Sequence, residues 1–356
     1  MFVRNCWYVI AWDHEVPGEA LFSRTVLGEA ILLYRVADGS IVALRDRCCH
    51  RLAPLSKGRK EGDCVRCGYH GLLFDASGRC IEIPGSPNVP KKARVQRYPL
   101  ALKNKWVFVW MGDPAKADLA LLPDNFSCDD PQWDYVPGYM HYATPQQLIC
   151  DNLLDFSHLS YVHEKTLGGS TAIAQARADI EAVPRGIKVT RKVHDVPPPP
   201  YYRAVRQIAG NLDRWFEYDF VLPGTLLMHS GGRPVEDDEN DLRRAVRLHS
   251  CQTVTPETET TTHYFFQQSR RADEGDHGVA EALHRALLVA FEEDRAMITA
   301  QSQAIAADPA ASMLPLAMDA AVIRFRRIVA DALAAERLDS VVTQLARAER
   351  DARSMA

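Results

Sequence analysis

The sequence predicts an α+β protein: an all-β N-terminal domain, then a larger C-terminal α+β domain with an antiparallel sheet flanked by helices. Three observations carry this. Short β-type runs joined by turns fill residues 1 to about 115, further strands surround a Pro-rich loop after that, and the last third is helical. At 356 residues the chain is long enough for two cores of about 100–200 residues each. In the first region AILLYRVADGSIVALRD reads as two strands around Asp38-Gly39. GLLFDASGRCIEIPG repeats the pattern around Ser77-Gly78, and WVFVWMGDPA adds a closing strand. A buried helix is expected from Gln146 to Val162, strands at RWFEYDFVL and TTTHYFFQQS, and helices from Val279 to about Ala306 and about Met318 to Ala335. The expected boundaries are 1–115, 116–340 and a charged, Ala-rich tail, 341–356, expected to fray.

Composition excludes several function classes. Apolar residues make up 47% and charged residues 25%, and Asp plus Glu (46) outnumber Lys plus Arg (42), so the basic footprint of a nucleic-acid binder is missing. Arg4 and Asp13 bracket too short an apolar run for a secretory signal, and no stretch approaches about 18 apolar residues. A cytoplasmic, membrane-free protein is the expectation. In a reducing compartment nine cysteines suggest metal binding rather than a disulfide framework.

Those cysteines are not scattered evenly. Cys48-x-His50 is followed, after sixteen residues, by Cys67-x-x-His70. Two turn-rich loops each offering a thiolate and an imidazole can grip one compact centre, either zinc or a Rieske [2Fe-2S] cluster in which two His replace two Cys on one iron. A finger-type zinc site pairs Cys with Cys and His with His, whereas here each loop carries one of each. Gly68, Gly71 and Pro54 would let the backbone wrap closely. The decoys are Cys49 and Cys64, which with Cys48 and Cys67 would make a zinc set, and the bland alternative is unliganded structural cysteines. The imidazoles of a Rieske centre raise its potential to between about −150 and +300 mV, against about −400 mV for plant-type ferredoxins, which suits a relay to an oxygen-using site.

The stretch LICDNLLDFSHLSYVHEKTLGG is apolar nearly all round, yet Asn152, Asp155 and His158 run along it at intervals of three, with His163 five residues later. Buried polar groups need partners or a ligand. The alternatives are a satisfied core network and two histidines of a facial triad, the two-His-one-carboxylate set of non-haem Fe(II) oxygenases. On a straight helix His158 and His163 stand about 140° apart, so both reach one iron only if the helix breaks, with Ser160 and Tyr161 at the expected irregularity. On the helix EALHRALLVAFEEDRAMITAQ, Leu283, Leu287, Phe291, Met297 and Ile298 define an apolar face with Asp294 near its centre, Glu293 at the flank and Glu292 opposite. Asp294 is therefore the expected third ligand, the alternative being a helix acid paired with an Arg. Asp155 is assigned as a partner that orients a histidine and carries hydrogen-bonded coupling between redox centres.

With these residues in place, the chain resembles the oxygenase component of Rieske non-haem iron oxygenases over roughly residues 3 to 335. CCHRLAPLSKG with CGYHGLLFD resembles the family's cluster motif, DNLLDFSHLSYVH its iron motif, and FEEDRAMITAQ the segment of the third iron ligand. NCWYVIAWDHEV and TPETETTTHYFF look closest to the vanillate O-demethylase and dicamba monooxygenase branch. Cys49 is a departure, standing where the family usually has Pro.

The resemblance implies cluster ligands Cys48, His50, Cys67 and His70, iron ligands His158, His163 and Asp294, and a catalytic contribution from Asn152 and Asp155. It implies two cofactors, the [2Fe-2S] cluster and a mononuclear Fe(II). It also implies an NADH-dependent flavin and iron-sulfur reductase as partner, an aromatic substrate with O2, and head-to-tail homotrimers in which Asp155 bridges one subunit's cluster to a neighbour's iron. The expected activity is O-demethylation of a methoxy-aromatic acid with release of formaldehyde; the alternatives are ring hydroxylation of an aromatic acid or aryl ether and a pure electron carrier. His229, His249, Gln252, Arg203, Arg206, Arg247 and the HYFF aromatics stay outside the expected site, because lone residues of these types on strands are more often surface or satisfied core.

Overall fold

The computed structural model describes residues 1–168 and 170–354. Its first third is three small antiparallel sheets. Strands β1 (Trp7–Trp12), β2 (Phe22–Val26), β3 (Glu29–Arg35), β4 (Ile41–Arg45), β5 (Arg59–Glu61), β6 (Cys64–Arg66), β7 (Leu73–Phe74), β8 (Cys80–Glu82), β9 (Leu100–Lys103) and β10 (Trp106–Trp110) pair in the orders β1-β10-β9, β2-β3-β4 and β5-β6-β7-β8. Both expected turns form, with Gly39 at φ 85° and Gly78 at φ 79°, conformations that glycine adopts without penalty. A core of Leu32, Tyr34, Leu44, Leu55, Val65, Leu72 and Phe74 includes Cys48 and Cys67 and so backs the two ligand loops.

The larger part is one eight-stranded antiparallel sheet with helices. β11 (Trp133–Asp134) and β12 (Gly138–Tyr142) pair in succession along the outer side of one strand, Thr262–Arg271, and so form the sheet's edge. α1 (Gln146–Leu154), a 3-10 turn (Phe156–Ser160) and α2 (Ala172–Gln175) come next. They are followed by β13 (Asp179–Val183), β14 (Gly186–Val196), β15 (Leu212–Val221), β16 (Thr225–Pro234), β17 (Val246–Pro256) and β18 (Thr262–Arg271), in the order β11-β18-β17-β16-β15-β14-β13. α3 (His277–Ala307) and α4 (Ala320–Ser354) complete the chain. The last helix runs through most of the segment expected to fray, as its Ala, Arg and Glu content favours; residues 355 and 356 lie outside the described residues.

Side-chain alternation gives the sheet two different jobs. On one face Phe216, Tyr218, Leu226, Met228, Tyr264 and Phe266 join Leu153 of α1, Leu287 and Phe291 of α3, and Phe325 of α4 in the main core. On the other, Cys251 and Phe265 pack with Trp7, Trp12, Trp106 and Trp110 of β1 and β10, fastening the N-terminal sheets to the back of the large one. The functional side chains gather on the helix-covered face.

Candidate metal centres and adjoining cavity

The two Cys-His loops share one backbone plan. Cys48 N donates to Ala53 O at 2.8 Å and Leu52 N to Cys48 O at 3.0 Å; Cys67 N donates to Leu72 O at 2.8 Å and Gly71 N to Cys67 O at 3.1 Å. The fourth residue after each Cys is left-handed, Leu52 at φ 61° and Gly71 at φ 73°. Gly68 lets the second loop lie against the first: a Cβ there would stand 2.6 Å from Lys57 O. Asp46, buried, anchors the first loop by accepting from Ser23 Oγ, Ser56 N and Ser56 Oγ at 2.6–2.7 Å.

This frame brings the four expected ligands to one tip. The thiols of Cys48 and Cys67 are buried neighbours, and burial together with Cys67 pushes the Cys48 thiol up to about 11. The His50 and His70 rings stand 4.6 Å apart at the surface, and burial with the adjacent His50 and Arg51 lowers His70 below its usual value, favouring the neutral imidazole a metal requires. Cys49 is exposed, and Cys64 lies among the carboxylates of Asp75, Asp63 and Glu61. A buried thiol pair with an outer imidazole pair suits a cluster whose two irons have different ligands better than it suits zinc.

The second constellation is buried and assembled from three segments. The helix expected to reach Val162 ends at Leu154: Asp155 is extended (φ −113°, ψ 97°), a 3-10 turn covers Phe156–Ser160, and irregular turns carry His163. The break therefore comes at Asp155 as well as at Ser160 and Tyr161, because the Asp155 carboxylate caps a new turn by accepting from Ser157 N at 2.9 Å and Ser157 Oγ at 2.7 Å. Gly168 folds the segment back: its N–H donates to His163 O at 3.0 Å, and a Cβ there would meet Leu159 O at 1.9 Å.

These turns aim both imidazoles at Asp294, itself only 6% exposed. His163 Nε2 lies 3.1 Å from Asp294 Oδ2 and His158 Nε2 3.5 Å from Oδ1, and one ligand atom from each of the three residues falls within 4.8 Å of the others. Each imidazole is held from behind. His158 Nδ1 donates to the main-chain oxygen of Asp155, and His163 Nδ1 to Glu293 Oε2 at 2.8 Å, where Thr166 Oγ1 also donates. Asn152 Nδ2 donates to Asp294 Oδ1 at 3.0 Å. Burial lowers His158 despite Asp294; burial also opposes a proton on His163, but Asp294 and Glu293 outweigh it and raise that group. The two Nε2 atoms and the facing carboxylate make a donor set for a borderline divalent metal such as Fe(II), with open positions.

Three expectations change in detail. Asp155 orients His158 through its carbonyl, while its half-buried carboxylate lines a surface groove with Asp151, Met297, Leu314 and Arg326 on the outer side of the centre. Met297 is 59% exposed, since it falls about 80° from the middle of the buried face on a regular helix. Glu293, placed only at a flank by its helical angle, clamps His163, a contact that depends on how the chain returns after the 3-10 turn.

Beside the triad lies a cavity walled by Leu153, Phe156, Leu159, Phe216, Met228, Leu287 and Phe291, with Tyr201, Ser230, Ser250, Gln252 and Gln268 as its polar members. Gln252, left outside the expected site, faces it. His229 and His249 alternate to the far side of the sheet, where Ser127 Oγ lies 2.7 Å from His249 Nδ1.

Residues 6–99 match the Rieske [2Fe-2S] domain, and residues 142–335 match the vanillate O-demethylase oxygenase C-terminal domain. The chain belongs to the Rieske non-haem iron oxygenases. Among its relatives is the iron-sulfur subunit of the toluene-4-sulfonate monooxygenase system of Comamonas testosteroni, 44% identical over 94% of this chain and 98% of that one. Dicamba monooxygenase bound to 3,6-dichlorosalicylic acid superposes with a TM-score of 0.86 at 29% identity, covering 95% of this chain and 99% of that one. A second dicamba monooxygenase structure, with non-haem iron and dicamba, gives 0.78 at 28% identity over 96% and 99%. The protein is an oxidoreductase of this oxygenase class, and its cofactors are a Rieske [2Fe-2S] cluster and a mononuclear iron. Among the described residues no helix is long and apolar enough to cross a membrane.

Proposed function

We propose that this chain is the terminal oxygenase component of a monooxygenase that demethylates a methoxy-aromatic acid. In this reading residues 1–115 form the electron-accepting domain and 116–340 the catalytic domain. Cys48, His50, Cys67 and His70 hold the cluster, and His158, His163 and Asp294 hold the iron. The observation that carries the reading is the clamped triad opening on an apolar cavity. When bound, the iron activates O2 with electrons delivered through the cluster.

The residues of the chain do the rest. Phe156, Phe216 and Phe291 keep water from the reacting methyl group and orient an aromatic ring. Glu293 and the Asp155 carbonyl hold the two imidazoles, and Asn152 fixes the Asp294 oxygen that faces His158. One oxygen atom enters a C–H bond of the methoxy group while the other, with two electrons from NADH and two protons, leaves as water. The resulting hemiacetal breaks to a phenol and formaldehyde.

Electrons from NADH reach the protein through a separate flavin and iron-sulfur reductase, and the expected compartment is the cytoplasm. A homotrimer supplies the electron path. Leu52 and Tyr69, 59% and 61% exposed, sit on the two cluster loops, and the groove at Asp155 exposes Met297, Met313 and Leu314, so apolar tip and apolar groove suit each other across a subunit boundary. Asp155 then links the neighbour's cluster to His158.

The relative that oxidises toluene-4-sulfonate favours a second reading, hydroxylation of a ring-bound methyl group. With a surrogate reductase, NADH and O2 consumption measured across methoxybenzoates, toluene-4-sulfonate and unsubstituted aromatic acids separates the cases. Formaldehyde equal to the phenol formed supports demethylation, a hydroxymethyl product moves the activity to the second reading, and a diol or ring phenol without formaldehyde moves it to ring hydroxylation.

A further inference from the structure

The cavity beside the triad has a polar end that the metal ligands do not use. Ser230 of β16, Ser250 and Gln252 of β17 and Gln268 of β18 line it from the sheet, at 2%, 2%, 7% and 7% exposure. Ser250 stands opposite Met228 on one neighbouring strand and Gln268 on the other, and Ser230, opposite Leu248, is diagonal to Ser250. The patch is therefore continuous.

Its hydrogen-bonding sense can be read. Tyr264, buried and held protonated by that burial, donates its hydroxyl to Gln252 Oε1 at 2.6 Å, which leaves the amide NH2 to the hollow. The Ser230 hydroxyl is buried with no hydrogen-bond partner, an arrangement that is costly and rare. Among the described residues no Lys or Arg lines the cavity. The polar end thus offers donors without a countercharge.

We propose that this end seats the acidic group of the substrate, with Gln252 and Ser230 as its donors and Ser250 and Gln268 beside them, and that it selects an aromatic sulfonate over an aromatic carboxylate. The inference rests on the reading that the cavity takes an aromatic anion, and adds which anion and which residues. An anion seated at this end loses water and meets no Lys or Arg, so desolvation weighs heavily. A sulfonate spreads one charge over three oxygens and presents acceptors in several directions, as the amide and hydroxyl donors require. A carboxylate concentrates its charge on two oxygens and is best served by the planar fork of an Arg, which is missing.

Calorimetric titration of the anaerobic full-length holoenzyme with toluene-4-sulfonate, 4-methylbenzoate and neutral 4-methylbenzamide tests this. The sulfonate should bind at least about tenfold tighter than the benzoate. Gln252→Glu, assayed above the raised pH at which its buried carboxyl ionises, keeps an acceptor for Tyr264 and nearly the same shape but replaces the NH2 by a charged oxygen. It should weaken the sulfonate by about tenfold or more and leave the benzamide, which can donate to it, as tight as before. Ser230→Ala, which disturbs no partner, should weaken the sulfonate alone; cluster absorption and iron content report folding of both variants. Benzoate binding as tightly as sulfonate, or Gln252→Glu affecting all ligands alike or none, would overturn the proposal. A Gln252-dependent sulfonate affinity without oxidation of any methyl-bearing acid keeps the seat and removes the proposed function. Oxidation with an unchanged KM in Gln252→Glu does the reverse.

Discussion

The cluster loops and the triad hold their side chains in place by different means. Around Cys48 and Cys67 the backbone does the work: paired main-chain hydrogen bonds and one left-handed residue per loop set the thiols inside and leave His50 and His70 at the surface. Around Asp294 side chains do it, each imidazole being clamped on its far nitrogen and the carboxylate by Asn152, at a depth where His163 is 1% exposed. The contrast follows from the tasks. A centre that receives electrons from a partner must be reachable, and one that handles O2 beside a substrate must be shielded.

Removing a ligand from either centre gives the largest effect and breaks the comparison if the two are not independent. Asp294→Ala should lose the mononuclear iron and take product formation to background while the visible spectrum of the cluster stays. Cys67→Ala should lose that spectrum and keep iron bound to the triad. Parallel iron analysis and absorption spectra check both; loss of both centres in either variant would mean that they share a folding unit.

Asp155→Asn sharpens the comparison at the proposed junction of the two. An Asn oxygen can still accept from Ser157 N, so the turn and the cluster spectrum should persist while turnover with reductase falls roughly hundredfold, the upper end of what outer partners of metal ligands contribute. Near wild-type turnover would take Asp155 out of the electron path. Glu293→Gln should be milder, weakening iron binding by about tenfold because Gln can accept from His163 but lacks the charge. Iron titration of the apoprotein reads it.

How far each centre was legible in the sequence follows the same division. The cluster motif is local, so residue types and spacing are enough to single out the four candidate ligands that the two loops bring to one tip, and the two turns around Gly39 and Gly78 could be placed from their residues alone. Asp294 was legible because a carboxylate in an apolar helical stripe is costly. Glu293 was not: its role depends on where His163 arrives after the turns at Asp155 and Gly168, and nothing in the helical angle reports that. The end of α1 at Leu154 was missed because the pattern stays apolar through Val162, while a side-chain cap from Asp155 overrides it. Gln252 and His249 illustrate the period of two: three positions apart on β17, they fall on opposite faces, and only the placement of the cavity decided which one a substrate could meet.

A buried histidine that lies outside the triad bears on stability rather than on activity. Burial, with His229 nearby, holds His249 down to about 3, and its neutral Nδ1 lies against the Ser127 hydroxyl. In the unfolded chain the group returns to about 6.5, so as pH falls the unfolded state takes the proton first. The contribution is fully present above about pH 6.5 and is lost as pH falls towards the folded value, with a limiting slope of about 1.4 kcal/mol per unit. Denaturant unfolding between about pH 6 and pH 4 should therefore show a steeper loss of stability for wild type than for His249→Asn, whose side chain does not titrate. Because carboxylates titrate in both proteins, the difference in slope isolates the histidine. Equal slopes would mean that His249 accepts a proton in the folded state, and the far face of the sheet would then tolerate a charge much as the exposed cluster tip does.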